Sequence, residues 1–458
     1  MFQTSNLLGN EKIFHVSAAL LLCTFVSLAW LVIPHPIIPI VVAVLPIAVL
    51  VVLKYPSLMA LLFLSFSFFR IHEVFPVLMP LKLPLLLALG TLVSLGWNLY
   101  VRKLYVFMTR EHKVFLIFLG VITVGLIFAT NRSVSIESYT DTFIKIAIMV
   151  FALSWMLITE KAYKLLNIMV LGCGLLVSIK ALYNKAHGLE ILEGTRVTIG
   201  NSFGSILGDP NDLSLVLLFP ASFALAQVFT PRTHWTLRMV GVVIFGLIVM
   251  AVLATQSRGG MLGILAVMTV FGSQIIRSKV VLGLLGVVAL LGLFAVSGVA
   301  DRQSGGGHEV GIDESSMGRL YAWAAAGRMA VHNPLTGVGI DNFYQNYFDY
   351  SDFWDGKNHA VHSTWFGVLA EAGILGFLVF MTLVFMTGGK AYKNFIILKN
   401  DPNAPPVVHA TSWALLSGLA GFCVSGTFLT MGFHWPFYIM LAVTLGLHKY
   451  VSSNCLSK

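Results

Sequence analysis

Runs of about twenty apolar residues recur along almost the whole chain, and this repetition constrains the fold more than any single motif does. The runs lie at 14–33, 37–53, 56–70, 81–100, 114–130, 143–159, 164–182, 212–229, 239–256, 260–276, 280–299, 363–386, 409–428 and 435–450. A helix rises about 1.5 Å per residue, so a run of this length crosses the ~30 Å hydrocarbon layer of a bilayer. Backbone polar groups inside that layer must be satisfied by the chain itself, and unbroken apolar runs do this as helices. The fold class is therefore all-α, a polytopic transmembrane helix bundle of about 12–14 spans, the lower count allowing for the short run at 56–70 and for one re-entrant pair. The first run lacks a small-residue cleavage site and is read as a retained helix.

Of 458 residues, 57% are hydrophobic and 11% charged. A soluble domain carries about 25% charged residues, so that class is excluded. The net charge of +9 resides mostly in short links, including Arg102–Lys113, Lys161–Lys164, Arg232–Arg238, Arg277–Lys279 and Lys390–Lys399. This is the positive-inside pattern and gives no reason to expect nucleic acid. It predicts cytoplasmic termini, with external links near 131–142, 183–211 and 300–362. Three regions follow: N-terminal helices over 1–182, a core over 183–386 that contains the long loop, and C-terminal helices over 387–458. Cys23, Cys173, Cys423 and Cys455 show no close metal or redox spacing.

The link at 300–362 carries eight acidic residues against Arg302, Arg319, Arg328 and Lys357. Ser315 and Ser316 are placed to cap a helix over Met317–Val331 that stops before Asn333-Pro334. Short helices inside a large external loop are therefore expected.

Four stretches carry chemistry. Arg196 precedes Asp209-Pro210-Asn211-Asp212, which reads as a polar loop ending in a helix cap with Asn211 also free to bind. Arg258 follows Ser257 and precedes Gly259 and Gly260. An outward arginine runs against the orientation rule, the planar guanidinium suits phosphate, and glycines permit close backbone approach. Arg319 and Trp323 are four apart on one helical face, as a stacked pair or as an anion contact beside an aromatic sugar platform. His359 and His362 precede Glu371, a carboxylate within an apolar run. A zinc site there would need a third ligand from His308, His332 or Asp355, but no dense signature exists, so no metal and no cofactor is assigned.

The ordered series SRGG, GRLYAW, NPLTGVGIDNF and HSTWFGVLAEAGILG, with GDPND upstream, resembles the bacterial O-antigen ligase superfamily over about residues 196–376. That superfamily includes O-antigen polymerases and protein O-oligosaccharyltransferases. The resemblance implies an inner-membrane enzyme with its site facing the periplasm. It would move a glycan from undecaprenyl pyrophosphate to an acceptor hydroxyl, such as that of lipid A core, with inversion and without metal. It assigns Arg258 and Arg319 to the pyrophosphate. It selects His362 as base, because that residue stands nine before Glu371 and His359 does not. Ser363 departs from the family, which commonly has Asn there. Arg196, Asn211, Trp323 and His359 are the further substrate-binding candidates, and Glu371, Gly259 and Asp209 the supporting ones. Membrane lipids are the expected surroundings. A membrane transporter is the rival from another class; it would place charged groups near mid-membrane, often within repeats, and neither is visible.

Overall fold

The computed structural model describes Thr24, Ser27 and residues 48–297, 314–354 and 356–454. The expected spans at 14–33, apart from Thr24 and Ser27, and at 37–53 up to residue 47 lie outside them. Within them the fold is an all-α bundle, and its strands are the two-residue Ile191–Leu192 and Arg196–Val197. Among the described residues nine helices are long and apolar enough to cross a membrane, or ten if Ala48–Lys54 and Pro56–Ser67, bent by 105°, count as one span. The expected run at 56–70 is thus the second arm of a bent pair, the geometry of a broken span or of a re-entrant loop.

Helix starts are dictated locally. Thr109, Asn131, Thr159, Asp209, Ser257 and Ser363 each accept a backbone N–H of the first turn through their side chains. These caps satisfy donors that lipid would leave bare. Pro210–Phe229 is the most enclosed of the spanning helices, whereas Lys279–Ser297 presents Leu284, Val288 and Leu291 outward, as a lipid-facing helix does. Polar groups knit the interior: Gln227 donates to Asn167, which donates to Thr411, each at 2.7 Å.

Hydrogen bonds sort the links into two ends. At one end Lys390 pairs with Glu111 at 3.0 Å, Lys399 donates to Gln274, and Arg232 donates to the Pro402 and Ala404 carbonyls. At the other, Asn131 meets Asn342, Glu73 accepts from Ser205, and Thr364 donates to the Leu429 carbonyl. Arg232, Lys390 and Lys399 fall at the first end. One expectation changes: Lys390, Lys393 and Lys399 do not form a link but lie on the 37-residue helix Thr364–Asn400. Basic side chains on a long helix satisfy the same charge rule as a basic loop, so charge alone misplaced its end.

That helix is broken at Gly373 (φ 70°, ψ −176°). The carbonyls freed there bind the segment after the loop helix, which runs Glu314–His332 and so starts before the expected Met317. Val338 donates to Ala370, Gly339 to Glu371, and Leu375 to Pro334, at 2.9, 3.1 and 3.2 Å. A Cβ on Gly373 would stand 2.7 Å from the Pro334 carbonyl oxygen, so only glycine fits.

Candidate functional site

Asn211, Ser257, Arg258, Gly259, Arg319, Phe428 and Leu429 line one small polar cleft. Three helices supply them, together with the turn after Pro406–Ser425. Asp209 caps Pro210–Phe229 by accepting from the Asn211 and Asp212 backbones at 2.6 and 3.3 Å. Ser257 caps Arg258–Ile275 by accepting from Gly260 at 3.2 Å. The cleft therefore lies against the first turn of a helix, where bare N–H groups and the dipole favour an anion. Arg258 sits at that first turn.

Arg196 is 3% exposed and does not line the cleft. Its guanidinium donates to the Thr255 carbonyl at 3.0 Å and to Asn211 Oδ1 at 2.8 Å, and pairs with Glu193 at 3.3 Å. Ser257 Oγ lies 2.9 Å from the same Asn211 oxygen. An arginine only donates, so this oxygen assignment is fixed by chemistry. The expected ligand contact is thus a buried strut that orients Asn211.

The glycines beside Arg258 serve packing. A Cβ on Gly260 would stand 2.4 Å from Ser214 Oγ, and one on Gly259 would stand 3.2 Å from Phe428 Cβ. They let Arg258–Ile275 approach its neighbours, and Gly259 at the same time lines the cleft.

Arg319 does not stack on Trp323. Its guanidinium lies over the Phe428 ring, 5.9 Å from the centroid. Trp323 instead stacks on Phe366 at 5.1 Å, and its indole N–H donates to the Val361 carbonyl at 3.0 Å. One helical turn thus carries the cleft's arginine and a clamp on the residue before His362.

His362 stands beside the cleft rather than among its lining residues. Its φ of 44° is left-handed, a region histidine tolerates better than most residues. Val361 is held by Trp323 on one side. On the other, Thr364 Oγ1 donates to the carbonyl of cleft residue Leu429 at 2.6 Å and accepts from Met431 at 3.1 Å. Burial first, then Arg319 and His359, push the imidazole below its ordinary 6.5, and Asp209 opposes them. His362 is therefore neutral, and able to accept a proton, at and above neutral pH. His359 packs edge-on to Tyr347 at 5.2 Å. Glu371 is buried and accepts from the Phe343 backbone at 3.2 Å, so it caps a loop helix from within a spanning one. Among the described residues no group of three His, Cys, Asp or Glu is placed to hold a metal. His308 and Asp355 lie outside them.

Phe428 and Leu429 were not singled out from the sequence, and Ser257 entered only within SRGG, without a role of its own. Ser257 had a signal, as a cap residue before an apolar helix. The other two had none, because only tertiary packing brings them to the cleft.

Bundle and cleft together define a multi-pass membrane protein with an anion-receptive site at one end. Residues 243–381, less than half of the chain, match the family model for O-antigen ligase, and over this stretch the chain is similar to that family. The matched stretch holds Arg258, Arg319, His362 and Glu371, and leaves Arg196, Asp209 and Asn211 upstream. No curated protein matches the chain.

Proposed function

We propose that this protein transfers a glycan from undecaprenyl pyrophosphate to an acceptor hydroxyl, of lipid A core in the first instance, on the periplasmic side of the inner membrane. The observation that carries the reading is the convergence of Arg258, Arg319 and Asn211 on one cleft at a helix N-terminus, with a neutral histidine beside it. Pyrophosphate is a good leaving group and needs its developing charge stabilised. Two guanidinium forks and the positive end of the helix dipole supply that. His362 takes the proton of the acceptor hydroxyl as its oxygen attacks the anomeric carbon. The bond from that carbon to pyrophosphate breaks on the opposite face, the electron pair leaves with the phosphate, and the configuration inverts. Trp323 and His359 shape the acceptor side, while Arg196, Asp209, Gly259 and Glu371 hold the frame.

The test is purified protein in lipid nanodiscs with an undecaprenyl pyrophosphate-linked glycan and separate acceptors: lipid A core, a second lipid-linked repeat, and a serine-bearing peptide. Transfer to lipid A core alone supports the ligase. Transfer only to the repeat or the peptide replaces it with the polymerase or oligosaccharyltransferase. Movement of the glycan lipid across the bilayer without covalent transfer would favour a transporter.

A further inference from the structure

At the end of the bundle opposite the cleft, three helices enclose a cavity of about 290 Å³. Pro210–Phe229 and Arg258–Ile275 both start at the cleft and reach this cavity at their far ends. Leu225 and Phe229 come from the first, Met268 and Ile275 from the second, and Leu282 and Leu285 from Lys279–Ser297. Met268 is 40% exposed and Leu285 51%, so the cavity opens toward lipid.

Its small residues do not all serve helix packing. Glycine in a membrane helix commonly marks the close approach of a neighbour. Gly272 is of that kind, since a Cβ there would stand 2.8 Å from Leu282 Cδ1. Gly286 is not. It lines the cavity, yet a Cβ there would meet nothing within 4 Å. With Ala289 one turn on, it leaves room beside Lys279–Ser297 that no other part of the described chain takes up.

The mouth of this apolar space is basic. Arg277 and Lys279 are exposed on the short link that joins its two wall helices. Arg238 donates to the Thr230 carbonyl at 3.2 Å, next to cavity residue Phe229. Lys399 donates to Gln274 at 2.7 Å, next to cavity residue Ile275. Among the described residues none of these four cations pairs with a carboxylate, whereas Lys390 at the same end is matched by Glu111. An apolar slot beneath an unbalanced basic rim fits an amphiphile with a hydrocarbon chain and an anionic head. A zwitterionic lipid would bring a cation of its own to that rim.

We propose that this cavity is the site of one anionic phospholipid, with an acyl chain in the slot and the phosphodiester among Arg277, Lys279, Arg238 and Lys399. The lipid completes the join between the bundle and Lys279–Ser297, the least enclosed of the spanning helices. The site stands apart from the glycan chemistry and does not rest on it.

The experiment uses the full chain in nanodiscs of phosphatidylethanolamine, with or without phosphatidylglycerol of the same acyl chains, and a phosphatidylglycerol probe carrying a diazirine in one chain. Crosslinks should concentrate on Leu265–Ile276 and Leu282–Ala289, and native mass spectrometry should retain one phosphatidylglycerol per protein. Arg277→Gln with Lys279→Gln removes charge and keeps the slot; Gly286→Phe fills the slot and keeps the charge. Each should weaken phosphatidylglycerol retention and these crosslinks about tenfold. Wild type should melt at a higher temperature with phosphatidylglycerol present, and both variants should lose that difference while melting like wild type without it. Equal retention of the two lipids, undiminished binding in both variants, or crosslinks spread evenly over the lipid-facing helices would overturn the site. Chain-to-chain crosslinks through Lys279–Ser297 in place of lipid would assign this face to a second copy instead.

Discussion

Replacing His362 tests the proposed chemistry most directly, and its backbone decides which replacement is fair. At φ 44° an ordinary Cβ-bearing residue costs roughly 1–2 kcal/mol, so His362→Ala mixes lost chemistry with strain. Asparagine tolerates this region and cannot act as a base near neutral pH, so His362→Asn separates the two. Loss of a positioned base typically costs about a hundredfold to ten-thousandfold, or roughly 2.7–5.4 kcal/mol of barrier. The assay is kcat/KM for glycan transfer, normalised to folded protein by size exclusion and melting temperature. A pH profile adds a second reading. Burial and Arg319 hold His362 below 6.5, so activity should fall on an acid limb that lies below that pH. Asp209 raises this pKa; Asp209→Asn keeps a capping side chain and removes the charge, so the limb should move to lower pH. The same sign governs stability. A folded-state pKa below the unfolded one gives a contribution complete above about 6.5 and lost as pH falls through the folded value, so melting comparisons belong at pH 8. Well-folded His362→Asn that turns over near the wild-type rate, or an acid limb indifferent to Asp209→Asn, would refute the base assignment.

Arg258→Lys and Arg319→Lys retain charge but lose the planar fork, and each should lower kcat/KM at least tenfold with folding intact; equal kinetics for both variants would remove them from pyrophosphate binding. Glu371→Ala strips the acceptor from the buried Phe343 N–H, which should cost about 1–3 kcal/mol in stability, while Glu371→Gln keeps an oxygen there and should recover most of it. A catalytic Glu371 would instead lose activity in both variants at unchanged melting temperature. Gly260→Ala should destabilise by about 1–3 kcal/mol through the clash with Ser214, and Ser214→Gly in the same chain should restore stability; failure of that rescue in melting scans would show that Gly260 matters for another reason.

Arg258, Arg319, Gly259 and Asn211 were legible because each sits in a short polar string between apolar runs, and the fold brings those strings together. Roles were harder to read than places. Arg196 stood among the substrate-binding candidates, but the short strand pair and the Thr255 carbonyl bury it as a brace. The Arg319–Trp323 spacing was real, yet Phe428 and Phe366 outcompete the intrahelical contact, since a partner far along the chain leaves no trace in local periodicity. The long helix through Lys390 hid for the same reason: the burial of Lys390 depends on Glu111, which only the assembled bundle supplies.

The break at Gly373 also sets an order for assembly. The Thr364–Asn400 helix alone leaves the Ala370 and Glu371 carbonyls without their usual donors, and lipid offers none. Those donors arrive on Val338 and Gly339, which precede the helix in the chain and lie beyond its own turn. The hydrogen bonding of this span is therefore complete only once the Val338–Gly339 segment docks on it. A chain delayed before that docking would carry bare carbonyls at the membrane surface, which is the kind of lesion that membrane quality-control proteases can recognise.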